Sequence, residues 1–155
     1  MPEDQPSRVR QAKAGELPAV LALAAMVSAT PWSEQALQPY FHPSPGGTHC
    51  ALILEVATEI AGFLVYTRLL DEASLDNIAI APECQGKGWG QVLLTAGLGQ
   101  MAARGLVRCL LEVRESNIAA RALYQNNGFE VDGIRPRYYK TAQGREDALL
   151  MSRRL

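Results

Sequence analysis

Apolar residues recur along this chain with two different rhythms, and the switch between them marks out the elements. Leu17, Val20, Leu21, Ala24 and Val27 lie three and four apart, which is one face of a helix over 17–27. Residues 50–56 and 60–69 are instead near-continuous apolar runs, expected to be strands joined by a tight turn near Thr58-Glu59. Residues 74–81 and 107–113 read the same way, and the second is apolar enough for a central strand covered on both faces. Between them, 88–104 reads as a helix stopped by Gly105. Asn117 is placed to cap a further helix over 118–126, ended by Gly128. Residues 8–11 predict a short first strand, and 129–131, 138–139 and 148–153 the closing ones. Pro31-Trp32-Ser33 opens a second helix, with Ser33 as its cap, running to about Gln38. Pro39 and the Pro43/Pro45/Gly46/Gly47 group then predict a loop. Strands alternating with helices and ending in a meander predict an α/β fold with a mixed sheet.

One loop carries more chemical information than the rest. Gln85-Gly86-Lys87-Gly88-Trp89-Gly90 lies between a predicted strand and a predicted helix. Its glycines let the backbone approach a ligand closely. The following helix points unpaired N–H groups and a positive dipole end back at the loop, so together they form a pyrophosphate cradle. Lys87 adds a point charge. A P-loop is absent, because no Gly is followed, after four intervening residues, by Gly-Lys-Ser/Thr. A dinucleotide fingerprint also fails: counting from Gly86 the sixth residue is Gln91, and no acid lies about twenty positions on. Gln-x-x-Gly-x-Gly after a strand is what remains, with an ordinary glycine-rich turn as the bland alternative.

Length and charge narrow the picture. The 155 residues are expected to form one domain over 1–155, large enough to bury about two-thirds of its unfolded surface. Residues 1–77 carry nine acids against four bases, whereas 78–155 carry seven against eleven. The half with the glycine loop suits a polyanionic ligand but lacks the basic footprint of a nucleic-acid binder. Cys50, Cys84 and Cys109 are odd in number and without metal spacing, which points to a reducing, cytoplasmic setting. His42 and His49 flank a Pro/Gly loop without further ligands nearby, so no metal is expected. Residues 17–29 have the length of a signal-peptide core. Glu3, Asp4 and Glu16 in the leader, Pro18 in a first turn and the helical spacing favour a helix instead. No run is long enough to span a membrane.

Four stretches then agree in order and spacing with a known group. "LLDEASLDNIAIAPECQGKGWGQVLL", "LEVRESNIAARALYQNNGF" and "RYYKTAQGREDALLM", with the short "PWSEQAL", resemble the RimI branch of the GNAT acetyltransferase superfamily. Enzymes of that branch acetylate the N-terminal alanine of a small-subunit ribosomal protein. The likeness is close from Leu69 to Met151 and only general elsewhere. It implies about seven strands in a mixed, mostly antiparallel sheet, about four helices, and acetyl-CoA held where two central strands splay apart. It further implies transfer from acetyl-CoA, with no metal, to the N-terminal alanine or a similar small residue of a ribosomal protein. A monomer or weak dimer is expected.

Acetyl transfer to an amine needs a neutral nucleophile, a stabilised oxyanion and a proton for the departing thiolate. Glu112 is the candidate base, since an acid in "CLLEV" is costly unless it lines a cleft; a salt bridge to Arg114 is the alternative. Tyr124 by itself reads as half-buried packing, and the resemblance makes it the general acid. By the same resemblance Asn117 contacts the cofactor as well as capping a helix. Backbone groups of Ile78, Ala79 and Ile80 hold the oxyanion and the pantetheine amides. Gln85, Gly86, Lys87, Gly88, Trp89, Gly90 and Gln91 hold the pyrophosphate, and Trp89 packs on the helix or covers the cofactor. Asp71, Glu72 and Asp76 are expected beside the acceptor cleft, where they attract a basic peptide or are merely a solvated turn. Tyr138, Tyr139 and "GREDALLM" line the opposite wall, with Arg135, Arg137 and Arg145 nearby for a carboxyl or RNA contact. The chain departs from the pattern at Asp76, where a large apolar residue is common, at Cys84 and at Gly86. A covalent cysteine route has no His near Cys84 or Cys109 in sequence to activate it. The alternatives to the leading reading are acetylation of a small amine, such as a polyamine, amino acid or aminoglycoside, and a coenzyme A-binding module with little catalysis.

Overall fold

The computed structural model describes residues 5–155, so Glu3 and Asp4 lie outside the described residues. Its strands are β1 (Ser7–Gln11), β2 (His49–Val56), β3 (Glu59–Leu69), β4 (Glu72–Ile80), β5 (Arg108–Arg114), β6 (Glu130–Thr141) and β7 (Gly144–Arg154). They form one sheet in the order β1-β2-β3-β4-β5-β7-β6, antiparallel everywhere except between β4 and β5. The helices are α1 (Leu17–Val27), α2 (Glu34–Phe41), α3 (Trp89–Ala103) and α4 (Ile118–Asn126). This is the mixed, mostly antiparallel α/β architecture expected from the sequence. No helix among the described residues is long and apolar enough to cross a membrane.

The near-continuous apolar runs of β2 and β3 follow from the layering. Side chains alternate across a strand, and both faces of this sheet are covered. Leu52, Leu54, Leu64 and Tyr66 join Leu93, Leu94, Leu98 and Tyr124 in one core cluster, on the α3/α4 face. Ala51, Ile53, Phe63 and Val65 join Val20, Leu37 and Phe41 in a second, on the α1/α2 face. Each fully buried Leu or Phe contributes roughly 1.5–3 kcal/mol of burial. In β5, Cys109, Leu111 and Val113 belong to the α3/α4 cluster, so Glu112 faces the α1/α2 side.

Two local expectations are corrected. Pro39 does not end α2 but lies inside it. A proline in a helix interior costs about 3 kcal/mol. Here the next two residues, Tyr40 and Phe41, are buried at 7% and 3% exposure, and their burial offsets that cost. The segments 129–131 and 138–139 are not separate strands, because β6 runs unbroken through both. Its pairing with β7 jumps from Arg135↔Ala148 to Tyr139↔Glu146, leaving three residues opposite Asp147. Arg137 there has φ 53° and donates its backbone N–H to Asp147 Oδ1 at 2.9 Å. Pro136 and this bulge break the two-residue rhythm that would have announced one strand.

Candidate active site

The site begins with one extra residue in β4. Pairing with β3 runs from Leu69↔Glu72 to Tyr66↔Leu75 and resumes at Val65↔Asn77, which leaves Asp76 unopposed. Such a bulge bends its strand. On its other edge β4 pairs with β5 only at Glu72↔Arg108, Ala73↔Cys109 and Ser74↔Leu110. Beyond that point β4 continues against β3 and β5 against β7, so their facing edges part. Backbone groups along the parted edges need partners, and an extended ligand rich in amides can supply them as an added strand would. Ile78, Ala79 and Ile80 all line the cleft. Only Ile78 and Ile80 turn backbone groups to this edge, because the register that pairs Phe63 with Ala79 directs those of Ala79 to β3.

β4 is also held tightly from behind. A Cβ built on Gly62 of β3 would stand 2.7 Å from the backbone oxygen of Ala79 and 2.8 Å from Ile80 Cδ1. Gly62→Ala should therefore displace β4, costing about 1–3 kcal/mol, or roughly 2–12 °C in melting temperature. It should also raise the KM for acetyl-CoA. Unchanged melting and KM would show that β4 shifts freely.

The cleft has a volume of about 730 Å³ and is lined by both parted strands, the glycine loop, α4 and the α1–α2 connection. After Ile80 the chain makes a 3-10 turn over Pro82–Cys84 and passes through Gly86 at φ 74° and Gly88 at φ 90° into α3. Those dihedrals favour glycine and turn the first amides of α3 toward the cleft. Gln85, Gly86, Gly88, Trp89, Gly90 and Gln91 all line it, whereas Lys87 is exposed and does not. Trp89 is 2% exposed and anchors the loop in the core. The two glutamines are structural through their side chains. Gln85 Nε2 donates to Ile80 O at 2.9 Å, closing the loop on itself. Gln91 exchanges two hydrogen bonds with the Asn127 amide, at 2.6 and 2.8 Å, tying the start of α3 to the end of α4.

Glu112 and Tyr124 open into this same cleft. The Glu112 side chain is 33% exposed, and its Oε1 lies 3.3 Å from Arg135 Nη2. The ion pair weighed with Arg114 is therefore made with Arg135. Arg114 pairs instead with Glu146 at 3.1 Å and covers the ring of Tyr139, 4.3 Å from its centroid. Glu146 also accepts from the Ser116 N–H at 3.2 Å, and these contacts hold its carboxyl below the usual range. Tyr124 is 7% exposed, and its ring packs against Phe129. Burial first, then Cys109 and Tyr139, push its phenol up to about 12. Asn117 caps α4, accepting from the Ala120 N–H at 3.2 Å, and lines the cleft beside Tyr124.

On the acceptor side the structure divides the expected residues. Tyr139 lines the cleft, while Tyr138 stacks edge-on against it, faces outward and does not. Asp71 and Glu72 are not at the cleft. They lie where β4 and β5 still pair, at the closed end of the splay, and Glu72 is 3.8 Å from Arg108. Asp76, past the fork, does line it. Arg137 and Arg145 brace the β6 bulge, with Arg145 Nη1 donating to Arg137 O at 3.4 Å. The motif Gly144–Asp147 is thus explained by contacts of Arg145, Glu146 and Asp147 that fix the wall carrying Tyr139. Sequence reasoning missed the α1–α2 connection, where Ser28, Thr30, Pro31 and Trp32 form the far wall. The quoted "PWSEQAL" was its one signal.

The residues present fit acetyl-CoA: a left-handed glycine loop at a helix N-terminus for phosphates, and a free strand edge for the amides of pantetheine. Residues 17–129 match the family model described as Acetyltransferase (GNAT) family. Over 137 residues the chain is 41% identical to the [ribosomal protein bS18]-alanine N-acetyltransferase of Salmonella typhimurium, covering 88% of this chain and 90% of that one. It is 42% identical over 123 residues to the protein of that name from Haemophilus influenzae, covering 79% and 81%. In three dimensions it matches the crystal structure of the ribosomal-protein-S18-alanine N-acetyltransferase from Escherichia coli with a TM-score of 0.88. That match has 35% identity and covers 96% of this chain and 94% of the other.

Proposed function

The chain belongs to the acetyltransferase (GNAT) family, and from that premise we propose that it acetylates the N-terminal amine of a protein beginning with alanine or a similarly small residue. A small-subunit ribosomal protein of the kind its relatives are named for is the acceptor. One domain and the cleft of β4 and β5 carry the whole reaction. The observation that supports this best is the convergence of Glu112 and Tyr124, from β5 and α4, on a single cleft beside the parted strand edge.

Acetyl-CoA, when bound, supplies a thioester carbonyl and a thiolate leaving group. Backbone amides of Ile78 and Ile80, on the open edge of β4, orient the acyl chain in strand-like pairing, and amides of Gly86 to Gln91 hold the phosphates. Asn117 donates from its side-chain amide to the same ligand while its oxygen caps α4. Glu112, facing the α1/α2 side, takes the proton of the incoming amine directly or through one water. An α-amine has a pKa of about 7.7–8.0, so a modest base is sufficient at neutral pH. Tyr124, still protonated at neutral pH because its phenol is pushed up to about 12, gives its proton to the departing sulfur.

The test is release of free coenzyme A from acetyl-CoA, with an Ala-initiated peptide and its N-terminally blocked twin as acceptors. Release with the free peptide alone is expected. Release with small amines but neither peptide would transfer the activity to a small-molecule acceptor. Tight cofactor binding without release on any amine would make the chain a binding module.

A further inference from the structure

The bulged residue that opens the cleft is itself a charged group facing into it. Asp76 Oδ2 accepts from Tyr40 Oη at 2.7 Å and from Thr67 Oγ1 at 2.5 Å, and Oδ1 accepts from Ser74 Oγ at 2.8 Å. A carboxylate has about four acceptor sites, so one remains open, on Oδ1. The three donors are neutral hydroxyls. They fix the group in place without cancelling its charge. None of the ion pairs among the described residues includes Asp76. Nor can the group swing away easily. Tyr40 is 7% exposed and sits edge-on to His49 at 4.8 Å, which locks the donor that α2 supplies. Burial also pushes the Tyr40 phenol upward, so it stays a proton donor to Asp76.

Position decides what this fixed charge reads. Asp76 lies two residues beyond Ser74, and Glu112 two beyond Leu110, the last residues that β4 and β5 pair. Both carboxylates therefore stand just past the fork, on the face covered by α1 and α2, and both line the cleft with Trp32. The reacting amine must be neutral to attack, so a carboxylate that held it as an ammonium would oppose the reaction. With Glu112 serving that amine, the open site on Asp76 suits a permanent cation close by on the acceptor. In an extended peptide the next residue is only about 3.3–3.6 Å further along.

We propose that Asp76 is a specificity-determining residue, selecting acceptors with Arg or Lys immediately after the N-terminal residue that is acetylated. The selection rests on the reading of the chain as an N-terminal acetyltransferase. Tyr40, Thr67 and Ser74 are positioning residues for it, holding the carboxylate where the bulge puts it.

The experiment compares two peptides identical but for the second position, Ala-Arg against Ala-citrulline, which keeps shape and removes charge. The wild-type kcat/KM should favour Arg by about tenfold. That preference should shrink as salt is raised, because the pair is partly exposed to screening ions. In Asp76→Asn the Arg-to-citrulline ratio should fall toward one. The ratio is internal to each protein, so a partly destabilised variant still reports it, and the wild-type salt series needs no variant at all. A wild-type ratio near one, or a ratio that Asp76→Asn leaves intact, overturns the proposal while peptide turnover upholds the N-terminal reading. Acetylation of small amines with neither peptide used would overturn both.

Discussion

Glu112→Gln should lower kcat/KM for an Ala-initiated peptide at neutral pH by about 10²–10⁴-fold. The amide keeps the shape of the side chain and its place past the fork, but it cannot take a proton. The deficit should also depend on pH in a defined direction. The acceptor amine sheds its proton unaided above about pH 8. A base whose duty is to deprotonate it therefore matters most at pH 7 and less at pH 9. The ratio of wild type to variant should narrow across that interval. Loss of the ion pair to Arg135 is a separate consequence of the substitution, and Arg135→Gln isolates it by removing the pair while leaving the carboxylate. If Glu112→Gln stays within threefold of wild type, the base lies elsewhere. If Arg135→Gln is impaired as severely as Glu112→Gln, the ion pair rather than proton removal accounts for the loss.

Tyr124→Phe should reduce kcat about 10²-fold with little change in the KM for either substrate. The loss falls at the low end of the usual range because a thiol, with pKa near 8.5, is already a fair leaving group. Phe keeps the packing on Phe129 and removes only the proton. A second effect follows from the raised phenol, and its sign can be worked out. The folded state holds the Tyr124 proton up to about pH 12, whereas the unfolded chain releases it near 10. Stability from this group is therefore present below about pH 10 and is lost as pH rises toward 12. Tyr124→Phe should soften the alkaline decline in that window. Tyr40 and Tyr66, raised by their own burial, leave part of the decline in place. A kcat equal to wild type would remove Tyr124 from the chemistry, whatever the stability curve shows.

How far the sequence could be read depended on whether a feature was local. The glycine loop, the helix after it, the Asn117 cap and the acid inside "CLLEV" are defined within a few residues, and the structure brings them to one cleft. Asp71 and Glu72 could not be placed that way. Whether a residue of β4 faces the cleft depends on where β5 leaves it, which is set by register and by one bulge. Neither is written in the hydrophobic pattern. Pro39 misled for a related reason, because a local helix breaker was outweighed by the burial of two aromatic neighbours. Gln85 and Gln91 have the right position for a ligand, yet their amides serve Ile80 and Asn127 across turns that no spacing rule reveals. Arg135 beside Glu112 arises from β7 lying between β5 and β6, so that it reaches over an intervening strand.

The shortness of the β4–β5 contact has a further consequence. Three residue pairs are all the sheet pairing that joins the part ending in β4 to the part made of β5, β7 and β6. The second part comes from one unbroken stretch of chain, residues 108–154. The sheet is thus made of two consecutive stretches of chain, welded at one end and sharing a core. A ligand lying in the fork completes the sheet between them. Its binding energy is then also assembly energy, added only to the folded state. Amide hydrogens of Ile78 and Ile80 should exchange as those of a sheet edge without it, and as those of a sheet interior with it. A cosubstrate bound in the fork would be both reagent and mortar.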